Sequence, residues 1–206
     1  MTISENKQVY VYQLKVWIRG IGPMVWRRVL VRSDSTISDL HYTIQIAIGW
    51  SDTHLNQFHI QGKDFGVHHV GGICFSDNPE QVLLSSFEFR LRERFTYEYD
   101  FGDDWIHEIR VENLLEFDPK KTYPICTGGK NAAPPEDCGG VLAYMEIRDN
   151  LKYRALGMVD ENFDNECEEY QDSEDNLFDP DKFSRREVNN RLKQYANGDR
   201  DWLFRY

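Results

Sequence analysis

The segment from Asp100 to His107 has the residue types in this sequence that are best suited to chemistry. Asp100 and Asp103 flank Gly102, a residue that readily adopts a positive φ, so their carboxylates can converge at a hairpin turn, with His107 on the next strand. Two carboxylates and an imidazole can bind a divalent cation or carry out acid–base catalysis. The competing interpretation is structural, because an aspartate at a turn commonly accepts hydrogen bonds from its own backbone amides.

Further candidates combine tryptophan with charged residues. In the run Trp26-Arg27-Arg28, strand alternation places Trp26 and Arg28 on one face and Arg27 on the other. One arginine can then meet an aspartate inside the protein, while an arginine beside aromatic rings is a common binding hot spot. His54 follows Trp50 by four residues and is interpreted as a helix-end cation or as a ligand.

These motifs mix aromatic, basic and acidic residues, whereas a motif that only builds a core is expected to be aliphatic. We therefore predict that they form one exposed surface. It comprises Trp26, Arg27, Trp50, His54, Asp100, Asp103, Trp105 and His107.

The leading hypothesis is a non-catalytic binding module for a protein or a nucleic-acid-associated partner. The alternative is a metal-dependent hydrolase or nuclease that uses Asp100, Asp103 and His107, with His54 as a further candidate ligand. A third interpretation is that the motifs only hold the fold together. The sequence leaves open whether the protein is an enzyme and whether it holds a divalent metal.

Motifs for nucleotide binding and nucleophilic catalysis are not found in recognisable form. Gly20-Ile21-Gly22-Pro23 begins like a dinucleotide fingerprint, but it has no third glycine and places a proline where a helix must start. Gly129-Lys130 is followed by Asn131, where a P-loop requires Ser or Thr. The sequence has no GxSxG motif, and no cysteine stands in a known nucleophile signature.

The negative charge is concentrated in one stretch. The formal net charge is -11, and the range 160–181 holds 11 acidic residues and no Lys or Arg, so the rest of the chain has 24 acids and 24 bases. This balance disfavours nonspecific duplex binding and anionic membranes, although it is compatible with a local basic patch. The chain has no apolar run long enough to span a membrane and starts without a signal-like segment, so we expect a cytoplasmic protein with free thiols.

The hydrophobic pattern predicts hairpins separated by helices. Strands are expected at 9–19, 25–31, 95–101 and 105–111, with a short hairpin within 55–65 and irregular chain over most of 114–135. Capping boxes predict helices after Thr36 and Ser184, the second over 184–196, and a further helix is expected to start near Glu136. The 206 residues therefore predict a single α+β domain with a largely antiparallel sheet, about three helices and an acidic loop at 160–181.

Four segments together resemble the plasmid pRiA4b ORF-3-like family. They are residues 21–28; residues 36–40 continuing to Gly49-Trp50, His54-Leu55 and Phe58; residues 97–105 with His107; and residues 134–140 with Tyr144. The resemblance spans roughly residues 9–151 and, more loosely, 178–192. It implies an α+β domain of unsettled activity that is associated with plasmids and mobile elements. The resolvase-like labels of some relatives have no support here, because no serine-recombinase nucleophile context is present.

The cysteines give little support for a zinc site. Cys126 and Cys138 are separated by 11 residues, whereas a zinc knuckle needs two to four. Members of the resembled family often have a further cysteine before the Pro-Pro pair, where this chain has Ala132-Ala133. We therefore predict that these two thiols are buried in a loop shaped by proline and glycine.

Overall fold

The structure, a computed structural model, describes residues 8–66, 75–158 and 178–199. Within these ranges it has seven strands: β1 (Tyr10–Ile18), β2 (Trp26–Arg32), β3 (Asn56–Ile60), β4 (Lys63–Gly66), β5 (Arg94–Tyr99), β6 (Trp105–Glu116) and β7 (Ile125–Lys130). The helices are α1 (Ile37–Ile48), α2 (Gly140–Ala155) and α3 (Arg185–Ala196), with a short 3-10 helix at Leu84–Phe87. The predicted α+β class is confirmed.

The seven strands form one sheet in the order β4-β3-β5-β6-β1-β2-β7, and all neighbouring pairs are antiparallel. Three of these pairs, β1–β2, β3–β4 and β5–β6, are the predicted hairpins. The β5–β6 hairpin carries the Asp100–Asp104 turn, and β6 pairs with β1 along the whole of β1. This pairing places the turn at the same end of the sheet as the β1–β2 connection, where Arg19 N–H donates to the Ile106 carbonyl.

The two faces of the sheet differ in exposure. Alternate residues of β1 from Tyr12 to Ile18 are buried, and we call their side the inner face. Alternate residues from Gln13 to Trp17 are partly exposed, and we call their side the outer face. One buried and one solvated face is the usual arrangement of an antiparallel sheet.

Helices α1 and α3 pack against the inner face and against each other. Thr36 and Asp39 form the predicted capping box at the start of α1, which ends at Gly49 in the left-handed conformation. Ser184 accepts a hydrogen bond from Glu187 N–H at the start of α3, which is one of the two hydrogen bonds of the predicted capping box. The Tyr195 hydroxyl donates to Asp39 at 2.8 Å and joins the two helices.

Strand β7 was not predicted, and it lies within the range 114–135 that was expected to be mostly irregular. Its sequence has two consecutive glycines, Gly128 and Gly129, which weaken any strand signal. A side chain at Gly129 would meet Phe183 at 2.5 Å and the Arg27 side chain at 2.9 Å, so packing on the inner face excludes a larger residue there. Strand β6 also extends beyond its predicted end, to Glu116.

Strand β7 lies at one edge of the sheet, and a side chain of α3 forms hydrogen bonds with the backbone at this edge. Asn189 of α3 donates from its amide to the Cys126 carbonyl and accepts from Cys126 N–H, both at 2.8 Å. These are the two backbone groups that a neighbouring strand would otherwise pair.

The acidic residues 160–177 lie outside the described residues, so the predicted acidic loop is described only from residue 178 onward. Among the described helices, none is long and apolar enough to cross a membrane.

Candidate functional site

Five of the eight residues predicted to form one exposed surface are buried: Arg27, Trp50, Asp100, Trp105 and His107 are 3%, 2%, 8%, 1% and 0% exposed. The expectation of a single surface open to water is therefore wrong for these five. Trp50 stacks on Tyr99 at 5.0 Å between ring centroids and meets the His107 ring edge-on at 5.3 Å. This aromatic cluster fills the core between the inner face and the end of α1.

Arg27 joins three elements through backbone carbonyl groups. Its guanidinium donates to the carbonyls of Ala47 in α1, Trp26 in β2, Lys130 in β7 and Asn131 just after β7, at 2.7–3.1 Å. We had expected a buried arginine to meet an aspartate, but these four carbonyls take that place. Burial lowers the pKa of Arg27 to about 10.

His107 is a neutral core residue. Its Nδ1 lies 3.0 Å from the Trp105 carbonyl and 3.3 Å from the Tyr97 carbonyl, so this nitrogen carries the proton and donates. Burial lowers the pKa of His107 to about 4. The cluster of Asp100, Asp103 and His107 required by the hydrolase alternative is therefore not assembled, because the imidazole faces the core.

Asp100 and Asp103 shape the β5–β6 turn, as the structural interpretation predicted. Asp100 Oδ1 accepts from the N–H of Gly102 at 3.0 Å and of Asp103 at 3.4 Å. Asp103 accepts from Gly139 N–H at 3.1 Å, which ties the turn to the segment before α2. A side chain at Gly140 would meet the Asp103 carbonyl at 2.7 Å, so this close approach also requires a glycine.

The same end of the sheet brings together three segments that are far apart in the chain. Glu136 accepts hydrogen bonds from Ser51, after α1, and from the Tyr99 hydroxyl at the end of β5. The Tyr99 oxygen in turn accepts from the N–H of Thr53 at 3.0 Å and of His54 at 3.4 Å. A helix was expected to start near Glu136, but α2 begins at Gly140, and Glu136 instead joins these segments.

Where these three segments meet, His54 lies between two carboxylates. Its Nε2 is 3.0 Å from Asp137 Oδ1, and its Nδ1 is 3.8 Å from Asp100 Oδ1. One ligand atom from each of the three residues lies within 4.8 Å of the others, and this is the one such group of potential metal ligands found in the described part of the chain. His54 and Asp100 were predicted site residues, whereas Asp137 was not among them.

Trp26 lies apart from this cluster, on the outer face. It is directly opposite Trp17 in the β1–β2 register. Lys15 Nζ is 5.1 Å from the centre of the Trp26 ring and 5.8 Å from that of Trp17, and the Arg28 guanidinium is 5.3 Å from Trp26. Arg94 of β5 approaches Trp17 from the other side at 5.8 Å. We call these five residues the tryptophan face.

Acidic side chains on β6 orient the cations of the tryptophan face. Glu112 accepts from Arg28 and Arg110, and Glu108 pairs with Arg94. Burial by itself would raise the pKa of Glu112, but hydrogen bonds from Arg28, Gln13 and Arg110 outweigh it and hold the pKa at about 2. Strand alternation places Lys15 and Trp17 on one side of β1, so pairing that strand with Trp26 is the sequence signal that identifies the face.

The two described cysteines are buried free thiols. Burial raises the pKa of Cys126, and it raises that of Cys138 to about 12, with the charge of Asp103 adding to the effect. Neither thiol belongs to the potential ligand group found in the described residues.

The fold and the site define an α+β protein in which the motif-bearing segments converge at one end of an antiparallel sheet. The chain belongs to the plasmid pRiA4b ORF-3-like family, whose model matches residues 10–187. An uncharacterized protein of Sinorhizobium fredii, y4hQ, is 34% identical over 142 residues, which cover 68% of this chain and 73% of that protein. A crystal structure of MM3350, a protein of unknown function from Methanosarcina mazei, shares 35% identity and superposes with a TM-score of 0.70, covering 88% of this chain and 97% of that one.

Proposed function

We propose that this protein is a binding module that takes single-stranded nucleic acid on the tryptophan face. The observation that carries the proposal is the pair of tryptophans, opposite each other on β1 and β2 and flanked by Lys15, Arg28 and Arg94. Helices α1 and α3 pack on the opposite face of the sheet. An open sheet face with aromatic rings and nearby cations is suited to stacking bases and holding phosphates.

Stacking is favourable even though Lys15 already lies over both rings. An exposed cation–π contact contributes about 0.5–1 kcal/mol, whereas stacking of a base on an aromatic side chain contributes about 1–3 kcal/mol. A flexible lysine displaced by a base can pair with the adjacent phosphate. Exchange of the lysine for a base therefore increases the favourable contacts.

A single strand fits this face better than a duplex does. The bases of a duplex are stacked on each other and present only their edges, so the two indoles would have no base plane to contact. The chain also lacks the overall basic excess that would be expected for duplex wrapping.

The proposal places the protein in the cytoplasm, in keeping with the free thiols of Cys126 and Cys138. The hydrolase alternative is not proposed with Asp100, Asp103 and His107, because His107 is fully buried.

The test is binding of fluorescently labelled 15-nucleotide DNA and RNA strands, followed by anisotropy in low salt. We expect replacement of Trp17 and Trp26 together by alanine to weaken binding at least about tenfold, since two stacking contacts are lost. Replacement of the same two tryptophans by phenylalanine retains aromatic rings and is expected to keep most of the affinity. Tyr153→Ala removes an exposed aromatic ring of α2 that does not belong to the tryptophan face, and it is expected to change nothing.

The proposal is wrong if the wild-type protein does not bind either strand in low salt, or if the double alanine variant binds as tightly as the wild type. It is also wrong if a duplex of the same sequence binds as tightly as the single strand. A protein partner that is lost with the tryptophans, combined with no oligonucleotide binding, would show that the face recognises protein instead.

A further inference from the structure

We propose that His54, Asp100 and Asp137 form a binding site for one first-row divalent metal ion, of which Zn²⁺ and Mn²⁺ are representative. The site is separate from the tryptophan face. The imidazole lies between the two carboxylates, and one ligand atom from each residue lies within 4.8 Å of the others.

The distances between the ligand atoms are close to those expected around one metal ion. Bonds of about 2.1 Å from a metal to nitrogen and oxygen ligands place neighbouring ligand atoms about 3.0–3.4 Å apart in octahedral or tetrahedral geometry. The carboxylates lie against different nitrogens of the imidazole: His54 Nε2 is 3.0 Å from Asp137 Oδ1, whereas His54 Nδ1 is 3.8 Å from Asp100 Oδ1. An imidazole binds an ion through one nitrogen, so the partly exposed His54 ring must rotate for Nε2 to share an ion with both carboxylates. Asp137 is exposed over 72% of its side chain, so it can adjust to a cation without repacking the core.

A buried nitrogen in the cluster points to a ligand. His54 Nε2 is inaccessible to solvent and, among the described residues, has no hydrogen bond of acceptable geometry despite the nearby Asp137 oxygen. A buried polar atom without a satisfied partner is costly, and a metal ion beside this nitrogen would occupy its lone pair.

The surrounding contacts fix the His54 backbone, the Asp100 carboxylate and the residue before Asp137. The Tyr99 hydroxyl oxygen accepts from His54 N–H, and Asp100 accepts from the N–H of Gly102. Glu136, the neighbour of Asp137, is held by Ser51 and Tyr99. Outer contacts of this kind orient metal ligands before the ion binds.

The donor set selects the kind of metal. One imidazole nitrogen and two carboxylate oxygens suit first-row divalent ions, whereas Ca²⁺ and Mg²⁺ favour sites made of oxygen ligands only. We expect Zn²⁺ to bind more tightly than Mn²⁺, and Mn²⁺ more tightly than Mg²⁺ or Ca²⁺. Bound metal would crosslink the segment after α1, the β5–β6 turn and the segment before α2.

The test is titration of the metal-stripped full-length protein with Mn²⁺, followed by electron paramagnetic resonance and calorimetry. Mn²⁺ is the first probe because thiolates bind it weakly, so the cysteines do not compete. We expect one ion per chain and, at saturating metal, a rise in melting temperature of about 5–10 °C. His54→Gln and Asp137→Asn are each expected to weaken binding at least about tenfold.

Asp104→Asn is the matched control. Asp104 is an exposed aspartate on the same turn with a positive φ of 55°, and it does not belong to the ligand group. This variant is expected to bind Mn²⁺ like the wild type, and circular dichroism would verify that all variants fold.

Absence of stoichiometric binding by the folded wild-type protein would overturn the proposal. Unchanged affinity in both His54→Gln and Asp137→Asn would overturn it as well, and so would an equal loss in Asp104→Asn. Because the titration contains no nucleic acid, its failure is independent of the role proposed for the tryptophan face.

Discussion

His54 and His107 contact the same group of aromatic rings but have different environments. His54 meets Tyr99 edge-on at 5.7 Å and lies beside two carboxylates, with 28% of its side chain exposed. His107 is fully buried and packs 5.3 Å from the Tyr97 ring. Both histidines were identified as candidates from the sequence, but only long-range packing determines which histidine can reach a ligand.

Stability is expected to depend on pH through His107. Burial holds the pKa of His107 at about 4 in the folded protein, against 6.5 in an unfolded chain, so the unfolded state binds the proton more readily. The contribution is therefore fully present above pH 6.5 and is lost as the pH falls towards 4. We expect the wild type to lose about 3 kcal/mol more than His107→Gln between pH 7 and pH 4.

Denaturant unfolding, measured by circular dichroism at several pH values, would check this difference. The glutamine variant retains an N–H donor for the Trp105 carbonyl but does not titrate in this range. Parallel pH profiles for the two proteins would contradict a buried neutral imidazole.

At the scale of elements, the sequence was most informative where local chemistry determines structure. The helices after Thr36 and Ser184 were predicted because their caps are local hydrogen bonds, and the hairpins were predicted from alternation and turn residues. Strand β7 was missed because its glycines are required by contacts with Arg27 and Phe183, which lie far away in the sequence. The contact between His54 and Asp137 was not predicted either, because these two residues are also far apart in the sequence.

The adjacent glycines of β7 are expected to tolerate substitution differently. A Cβ at Gly129 would clash with Phe183 and Arg27 on the inner face, so Gly129→Ala is expected to destabilise the protein by about 1–3 kcal/mol. A Cβ at Gly128 would meet Trp26 at an ordinary 3.5 Å, so Gly128→Ala is expected to change stability by less than about 1 kcal/mol.

Chemical denaturation of the two glycine variants provides the comparison, because both substitutions add the same methyl group to the same strand. Equal losses of stability would show that strand propensity, and not packing on the inner face, requires these glycines.

At the scale of the whole molecule, charge is distributed unevenly. The formal net charge is -11, yet Lys15, Arg28 and Arg94 surround the two tryptophans on the outer face. Composition alone disfavoured nonspecific duplex binding and was compatible with a local basic patch. The strand register is what places these cations next to each other, and register depends on pairing along the whole sheet.

The acidic stretch is expected to weaken binding of nucleic acid through its long-range field. Replacing the nine Asp and Glu residues in 160–175 with Asn and Gln changes the formal net charge from -11 to -2. We expect this change to raise affinity for a single strand about tenfold at about 50 mM salt. At about 0.5 M salt the difference is expected to largely disappear, because screening shortens the range of the field.

Anisotropy titrations at the two salt concentrations would measure the effect, with the wild type as the reference. An affinity that does not change at low salt would show that the acidic stretch does not influence the tryptophan face.

The hydrogen bonds of Asn189 are expected to affect the aggregation of this protein at high concentration. Its amide occupies the N–H and carbonyl groups of Cys126, which would otherwise be available on the edge of β7. An unprotected edge recruits strands from other molecules, and that growth leads to aggregates. The contact between α3 and β7 therefore protects part of this edge, and loosening α3 is expected to favour pairing of β7 with strands of other molecules.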